Sequence, residues 1–504
     1  MKFFRTKKPL KILFIGSEAA PFAKVGGLAS VMYSLPKALS RLGHDARVMI
    51  PRYLSIDPTQ YELSMVREHL KVPTKNEKGE SHLICNVKLF TPKKDEDPVC
   101  TYFLENQEYY EQRANVYGYM DDPVRWLLLC RGALEFLQTS DWKPDIIVGA
   151  DWQTGYISNL LRTEYKNSTV LSKVTSVLAI HNMYHQGMFD HKFVQEMDYD
   201  DGHSMLPALE DPRLNKINAL RRGIMHSDAI VTVSPNYAKE ILTKEYGEML
   251  DELLRERRAV LTGILNGIDY DLWNPENDPY VAHHFDKNNL EARTKNKKEL
   301  QERFRLNVDK DAFIVSIVSR LTRQKGFDLL YPIMDTLMRE LPIQFVVLGE
   351  GEGDLMGFFH DLETRYAGRV ATHLKYDPVL PHIVLAGTDA VLVPSRFEPC
   401  GLTQLEAMRM GAIPIARKTG GIADSVIDYN PNKEIGTGFV FENFDSSSLM
   451  IAFIRAFENH RSKKQWQELQ KRAMEEDFSW DSSAKKYTEF FERAIVFHNR
   501  NQQK

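Results

Sequence analysis

Cysteine is scarce in this chain: there are four in 504 residues. Cys85, Cys100, Cys130 and Cys400 stand far apart, with no CxxC or metal-ligand spacing. That argues against a disulfide scaffold and for a reducing compartment. A surplus of one charge sign is missing too. Lysine and arginine number 65 against 69 acidic residues, a formal net charge of −4, so no global basic field draws the protein to nucleic acid or to an anionic membrane. No apolar stretch reaches the length of a membrane span. The opening residues imitate a signal peptide, but their apolar run Ile12–Ile15 is too short for a signal core and reads as a buried strand. Short-period repeats, coiled-coil heptads and long low-complexity tracts are absent. The expected location is the cytoplasm.

What is present is an ordinary globular composition, 43% hydrophobic and 27% charged, in a chain long enough for more than one hydrophobic core. Lys11–Gly16 suits a strand buried on both faces. Leu28, Val31, Met32, Leu35, Leu39 and Leu42 follow at helical spacing, with Pro36 as a candidate kink and Gly43 as the stop. Ala46–Ile50 is the next strand. Ile146–Val148, Val177–Ile180 and Ile230–Val233 repeat the pattern. The polar stretch Glu276–Lys298 reads as an interdomain crossing, with a helix over Lys297–Phe304. A second series runs through Phe313–Val318, Gln344–Leu348, Val370–Thr372, Ala390–Val393 and Ala412–Ile415, and Phe478–Gln502 reads as a terminal helix. Alternating strands and helices predict an α/β protein of two doubly wound, Rossmann-like domains about a cleft. The expected divisions are 1–265, 266–477 and a terminal helix over 478–504.

In such sheets ligands bind beyond the carboxyl ends of the strands, where three clusters fall. Lys24-Val25-Gly26-Gly27-Leu28 offers a tight glycine turn, a helix start for an anion and a lysine charge. An ordinary loop glycine pair with a solvated lysine fits the same spacing. Ser319–Gly326 (SRLTRQKG) carries Arg320 and Lys325, a fork and a point charge able to clamp a diphosphate. An ordinary basic loop is the plain alternative. Val393–Glu406 (VPSRFEPCGLTQLE) is the most informative. A helix starting near Gly401 turns the amides of Gly401, Leu402 and Thr403 toward the cleft. Glu398 precedes it in a loop, either free for sugar hydroxyls or simply solvated.

Glu406 follows at a helical rise of roughly 12 Å from Glu398, too far for a retaining glycosidase pair at about 5 Å. Asp151 and His181 end two neighbouring strands. Taken singly, a histidine there is more often a structural hydrogen-bonding group. Asp198–His203 hints at metal ligands without an EF-hand register and reads as an exposed loop. Pro73–His82 and Pro92–Pro98 read as polar loops. Gly349–Gly353 (GEGEG) is a glycine-rich loop with no further assignment.

Lys24–Leu28 resembles the KxGGL motif of bacterial glycogen and starch synthases. Ile180–Phe189 (IHNMYHQGMF) is similar to their IHN-x-x-x-QG-x-F segment. Ser234–Tyr237, Asn266–Asp269, Ser319–Gly326, Pro394–Glu406 and Thr419–Val426 match in order, so the resemblance spans nearly the whole chain. It implies the two-domain arrangement called GT-B, with an acceptor-side first domain, a donor-side second domain and a terminal helix crossing back to the first. It also implies retaining transfer of glucose from ADP-glucose to the 4-hydroxyl at the non-reducing end of an α-1,4-glucan such as glycogen, with no metal and no cofactor.

Carried over by motif, Arg320 and Lys325 neutralise the leaving diphosphate, with Ser319 beside them. Lys24, Gly26 and Gly27 bind nucleotide phosphate. Glu398 holds glucose hydroxyls near Cys400 and Gly401, and the Leu402 and Thr403 amides sit on the distal phosphate. His181, next to Asn182, contacts the donor glucose, Asp151 lies near sugar or acceptor, and Glu406, Thr419 and Gly420 belong to the donor pocket. Ser30 stands where the family commonly has Asp, Val148 and Ala150 where His or Asn precede Asp-Trp, and His185 where Tyr is commoner. These departures bear on acceptor and sugar choice. The competing expectations are a glucan phosphorylase or hydrolase, for which the sequence shows no pyridoxal-lysine motif, and a silent glucan-binding relative. Oligomeric state and base preference are not read from the sequence.

Overall fold

The protein is described by a computed structural model covering residues 8–75, 81–93, 99–187 and 200–502. Two compact units emerge. The first comprises Met1–Val233, Ala238–Ile264 and Trp480–Lys504; the second comprises Ser234–Tyr237 and Leu265–Ser479.

In the first unit the described residues form a nine-stranded sheet in the order β3-β4-β5-β2-β1-β6-β7-β8-β9. Its strands are β1 (Lys11–Ile15), β2 (Asp45–Pro51), β3 (Ser64–Pro73), β4 (His82–Phe90), β5 (Cys100–Glu105), β6 (Ile146–Ala150), β7 (Thr175–Ile180), β8 (Ala229–Thr232) and β9 (Leu261–Gly263). The central strands are parallel, with Ile12 opposite Ala46 on one side and Ile146 on the other. Their apolar runs are buried because helices cover both faces. The helix Gly27–Arg41 passes through Pro36 without ending and buries Val31, Met32, Leu35 and Leu39. Leu42, expected on that face, is exposed. The helix Trp480–Gln502 packs on this unit. Phe491 meets Phe14 edge-on at 6.4 Å, and His498 Nδ1 lies 3.0 Å from Asp228 Oδ2.

The second unit has a six-stranded, all-parallel sheet in the order β12-β11-β10-β13-β14-β15. These are β10 (Phe313–Val318), β11 (Ile343–Leu348), β12 (Val370–His373), β13 (Ala390–Val393), β14 (Ile413–Arg417) and β15 (Phe439–Phe441). One large core holds Phe313, Phe345, Phe453 and Trp466.

Several expectations need correction. The antiparallel extension β3-β4-β5 was not foreseen. The helix expected over Lys297–Phe304 begins at Glu291. The polar stretch Glu276–Lys298 is no bare crossing, since it buries Asp278, Val281 and Phe285 in the second unit. The helix expected near Gly401 starts at Thr403. Of the run Asp198–His203, Asp198 and Tyr199 lie outside the described residues. The Asp200 side chain is buried and grips Arg222 with both oxygens at 2.8 and 2.9 Å, while Asp201 and His203 are exposed as expected. Met188, Phe189 and the middles of the two polar loops, 76–80 and 94–98, also lie outside the described residues.

Candidate functional site

In the second unit, β10 and β13 are adjacent and parallel, so the loops that follow them meet. Ser319, Lys325, Ser395, Glu398, Gly401 and Thr403 line one small cavity at those strand ends. Lys325 Nζ donates to Glu398 Oε2 at 2.6 Å, and Ser395 Oγ donates to the same oxygen at 2.9 Å. Glu398 is 6% exposed, so it is not a solvated loop carboxylate. A buried carboxylate needs such a partner.

Backbone packing explains the glycines around this pair. Gly326 has φ +73°, and a Cβ there would stand 2.1 Å from the Pro394 carbonyl oxygen. Arg396 N donates to Gln324 O at 2.9 Å, tying the two loops together. The glycine-rich loop Gly349–Gly353 supports them from the end of β11, which pairs with β10. Leu321 N donates to Glu350 O and Glu352 N to Leu321 O, while a Cβ on Gly349 would fall 1.8 Å from Ser319 O. Thr419 is buried. Gly420 and Gly421 press on the Glu398–Cys400 backbone, and Gly421 N donates to Glu398 O at 3.2 Å. Gly420 and Gly421 thus pack directly on the Glu398 loop.

Cys400 is buried, its thiol pushed up to about 12 by that burial. Leu402 precedes the helix Thr403–Arg409 without a side-chain cap, so the first amides have no intrahelical acceptor. Thr403 Oγ1 donates to Val318 O at 3.2 Å. Arg320 is exposed and Glu406 half-buried; neither lines the cavity of Lys325 and Glu398.

In the first unit, β6 and β7 pair with Ala150 opposite Ala179, which sets Asp151 beside His181. Asp151 Oδ1 accepts from His181 N at 2.7 Å and from Asn182 N at 3.4 Å. Asp151 has φ +54°, a left-handed conformation costly for a non-glycine residue and concentrated at functional sites. Burial raises its carboxyl above the ordinary range against the pull of His181. Burial lowers the His181 imidazole, against Asp151 and Glu18. Asn182 Oδ1 accepts from Tyr184 N at 3.0 Å. Val148 and Ala150 are buried within β6, and Ser30 is half-buried on the helix Gly27–Arg41. His185 is exposed, with the Tyr184 ring edge-on at 5.4 Å.

Lys24, Gly26 and Gly27 are exposed, and the helix starts at Gly27 behind an extended Gly26. Sequence reasoning missed Glu18. Its Oε2 accepts from Val25 N at 2.6 Å and Gly26 N at 3.0 Å, and its Oε1 accepts from Tyr117 Oη at 3.0 Å. The only available signal was its place after β1, seven residues before the amide it takes. Among the described residues, no group of three His, Cys, Asp or Glu side chains is arranged to hold a metal ion.

The comparisons agree along the whole chain. Residues 11–256 match the starch synthase catalytic domain, and residues 298–473 match glycosyl transferases group 1. The glycogen synthase of Thermotoga petrophila is 40% identical over 97% of this chain and 99% of its own. That of Geobacillus stearothermophilus is 39% identical over 96% and 98%. Among solved structures, the catalytic domain of starch synthase IV from Arabidopsis thaliana, bound to ADP and acarbose, superposes with a TM-score of 0.83 at 32% identity. It covers 97% of this chain and all of that one. With its two parallel-sheet α/β units and these full-length matches, the chain belongs to the glycogen and starch synthase family of GT-B glycosyltransferases.

Proposed function

We propose that the protein transfers glucose, with retention, from ADP-glucose to the 4-hydroxyl at the non-reducing end of an α-1,4-glucan. The observation that carries this reading is the Lys325–Glu398–Ser395 cluster at the ends of β10 and β13. The ADP in the Arabidopsis starch synthase and the glycogen synthase names of the relatives support donor and acceptor.

Breaking the sugar–phosphate bond puts new negative charge on the leaving diphosphate. Lys325, Arg320 and the first amides of the helix Thr403–Arg409 stabilise that charge more in the transition state than before it. As Lys325 turns to the diphosphate, Glu398 is released from its ammonium and accepts from glucose hydroxyls, while Ser395 keeps its carboxylate in place. The leaving phosphate oxygen takes the acceptor's proton on the same face, so no protein nucleophile is required.

In the first unit, the lowered pKa of His181 keeps its ring neutral near pH 7. A neutral ring adds no repulsion to the positive charge developing on the sugar. Asp151 holds the His181 and Asn182 backbone in place. Lys24 and the Gly26–Gly27 turn bind nucleotide phosphate. No metal or cofactor takes part in this scheme. The four cysteines are free, which supports a reducing, cytoplasmic setting.

The test is incubation with ADP-glucose or UDP-glucose and glycogen, reading nucleotide release and chain growth. Growth with ADP-glucose is expected. No turnover with either donor overturns the proposal, and glucose phosphate formed from glycogen and phosphate would assign a phosphorylase instead.

A further inference from the structure

The six-stranded sheet has a second pole. β10 and β13 lead to Ser319 and Ser395 at one end; at the other, Ala312 and Asp389 immediately precede their first residues, Phe313 and Ala390, beside a cavity of about 1040 Å³. Its wall is one side of the helix Glu291–Arg303, the start of the helix Lys463–Glu475 and the residues leading into the two strands. Six lysines and arginines face four carboxylates there, with His283 and His460 in addition. The volume is at the upper end for small-molecule sites.

The deep charges of this wall do not balance. Asp389 Oδ2 accepts from Lys297 Nζ at 2.8 Å and from Ile314 N at 2.9 Å. Burial alone would raise Asp389, but Lys297 and His460 more than reverse it and hold the carboxyl far below the ordinary range. It is therefore ionised and already engaged. Arg293, one helical turn from Lys297, is buried and spends its guanidinium on the carbonyls of Met410, Leu385 and Thr388. Asp389 is thus the one deep carboxylate beside the two deep cations, Arg293 and Lys297, while Lys463 at the cavity rim also feels Asp311 and Asp309.

The histidine between them is in conflict. His460 Nε2 lies 3.4 Å from Asp389 Oδ1 and 3.2 Å from Lys463 Nζ. One ring nitrogen cannot both donate to the carboxylate and accept from the ammonium. With a proton it repels Lys463; without one it turns a lone pair on Asp389. Partial burial and the charge of Lys297 depress Lys463, against the pull of Asp389, Asp311 and Asp309. An anion in the cavity removes the conflict by taking the Lys463 protons, which frees His460 to donate to Asp389. The helix Lys463–Glu475 begins at the same place with no side-chain cap, so its first amides add donors for the same anion.

We propose that this cavity is a binding site for a small phosphate-bearing metabolite, its phosphate held by Lys463 and the first turn of the helix Lys463–Glu475. A phosphate suits the site because it offers several charged acceptor oxygens to donors on different elements. The inference does not depend on the transferase reading.

Ribose 5-phosphate titrated into the full-length protein, followed by phosphorus NMR, tests it. Saturable binding at one site per chain is expected, at least tenfold weaker in Lys463→Ala and unchanged in Lys325→Ala, which alters the opposite pole. Lys463 is exposed, so the variant should fold; thermal unfolding checks this, and Lys463→Gln repeats the measurement with the side-chain length kept. Undiminished binding in both Lys463 variants, a comparable loss in Lys325→Ala, or no binding at millimolar ligand overturns the proposal.

Discussion

Lys325 has its ammonium on Glu398 at 2.6 Å, so removing it acts twice: it takes a cation from the leaving group and strands a buried carboxylate. Losing one preorganised charge stabiliser costs about 10²–10³-fold in kcat. Lys325→Ala is expected to fall in that range while its circular dichroism stays native. Turnover within threefold of the parent would remove Lys325 from the scheme. Glu18 works on the backbone. Hydrogen bonds to a charged group contribute about 1.5–3 kcal/mol each, and Glu18 receives two from Val25 and Gly26. Glu18→Ala should speed hydrogen exchange at both amides at least tenfold; unchanged protection would show that the turn holds itself. Lys325 and Glu398 were legible as motif residues, because a chemistry-bearing side chain announces itself by type. Glu18 was not, since its role depends on a turn folding back onto it.

At the scale of elements, the loop Gly349–Gly353 shows how a weak motif acquires a reason. Its glycines exist because the neighbouring loop passes within contact distance, and a Cβ on Gly349 would overlap Ser319 O at 1.8 Å. Gly349→Ala is expected to shift the Ser319–Lys325 loop and cut kcat at least tenfold, measured with the same transfer assay. Normal kinetics would show that the loop tolerates displacement.

The helix Trp480–Gln502 is held by an electrostatic latch. Burial would raise Asp228, but the hydrogen bond to His498 and the charge of Arg162 bring it below 3.8. The unfolded carboxyl titrates higher than the folded one. The latch is therefore complete above that ordinary value and is lost as pH falls through the depressed one. Asp228→Asn should cost about 3–5 kcal/mol at pH 7, and its deficit in urea unfolding should shrink toward pH 3. A deficit independent of pH would mean that packing, not charge, is at stake. The buried parallel strands were readable as continuous apolar runs. β3 was not, because it is largely exposed and its pairing with β4 shifts register near Met65–Leu70, which breaks the alternation a reader relies on.

At the scale of the whole molecule, the first unit is closed by the far end of the chain. Trp480, Tyr487, Phe490 and Phe491 are all buried, together contributing on the order of 10 kcal/mol, comparable with the whole stability of a typical domain. A chain ending at Ser479 is expected to lose the cooperative thermal transition of the first unit while the second keeps its own. Survival of both transitions would show that the helix is dispensable.

The amino-acid sequence by itself determined the alternation of strands and helices, the two α/β series and the ordered motifs, because these depend on local periodicity and residue type. Only the tertiary structure decided that Lys325 pairs with Glu398 and that Glu18 occupies the glycine turn. It alone gathered Lys297, Asp389, His460 and Lys463 at the far pole of the second sheet. Such contacts join residues from a few positions apart, as in the Glu18 turn, to 92 apart, as for Lys297 and Asp389, and which groups meet is settled by strand order and by how loops fold back, which residue type and periodicity do not contain.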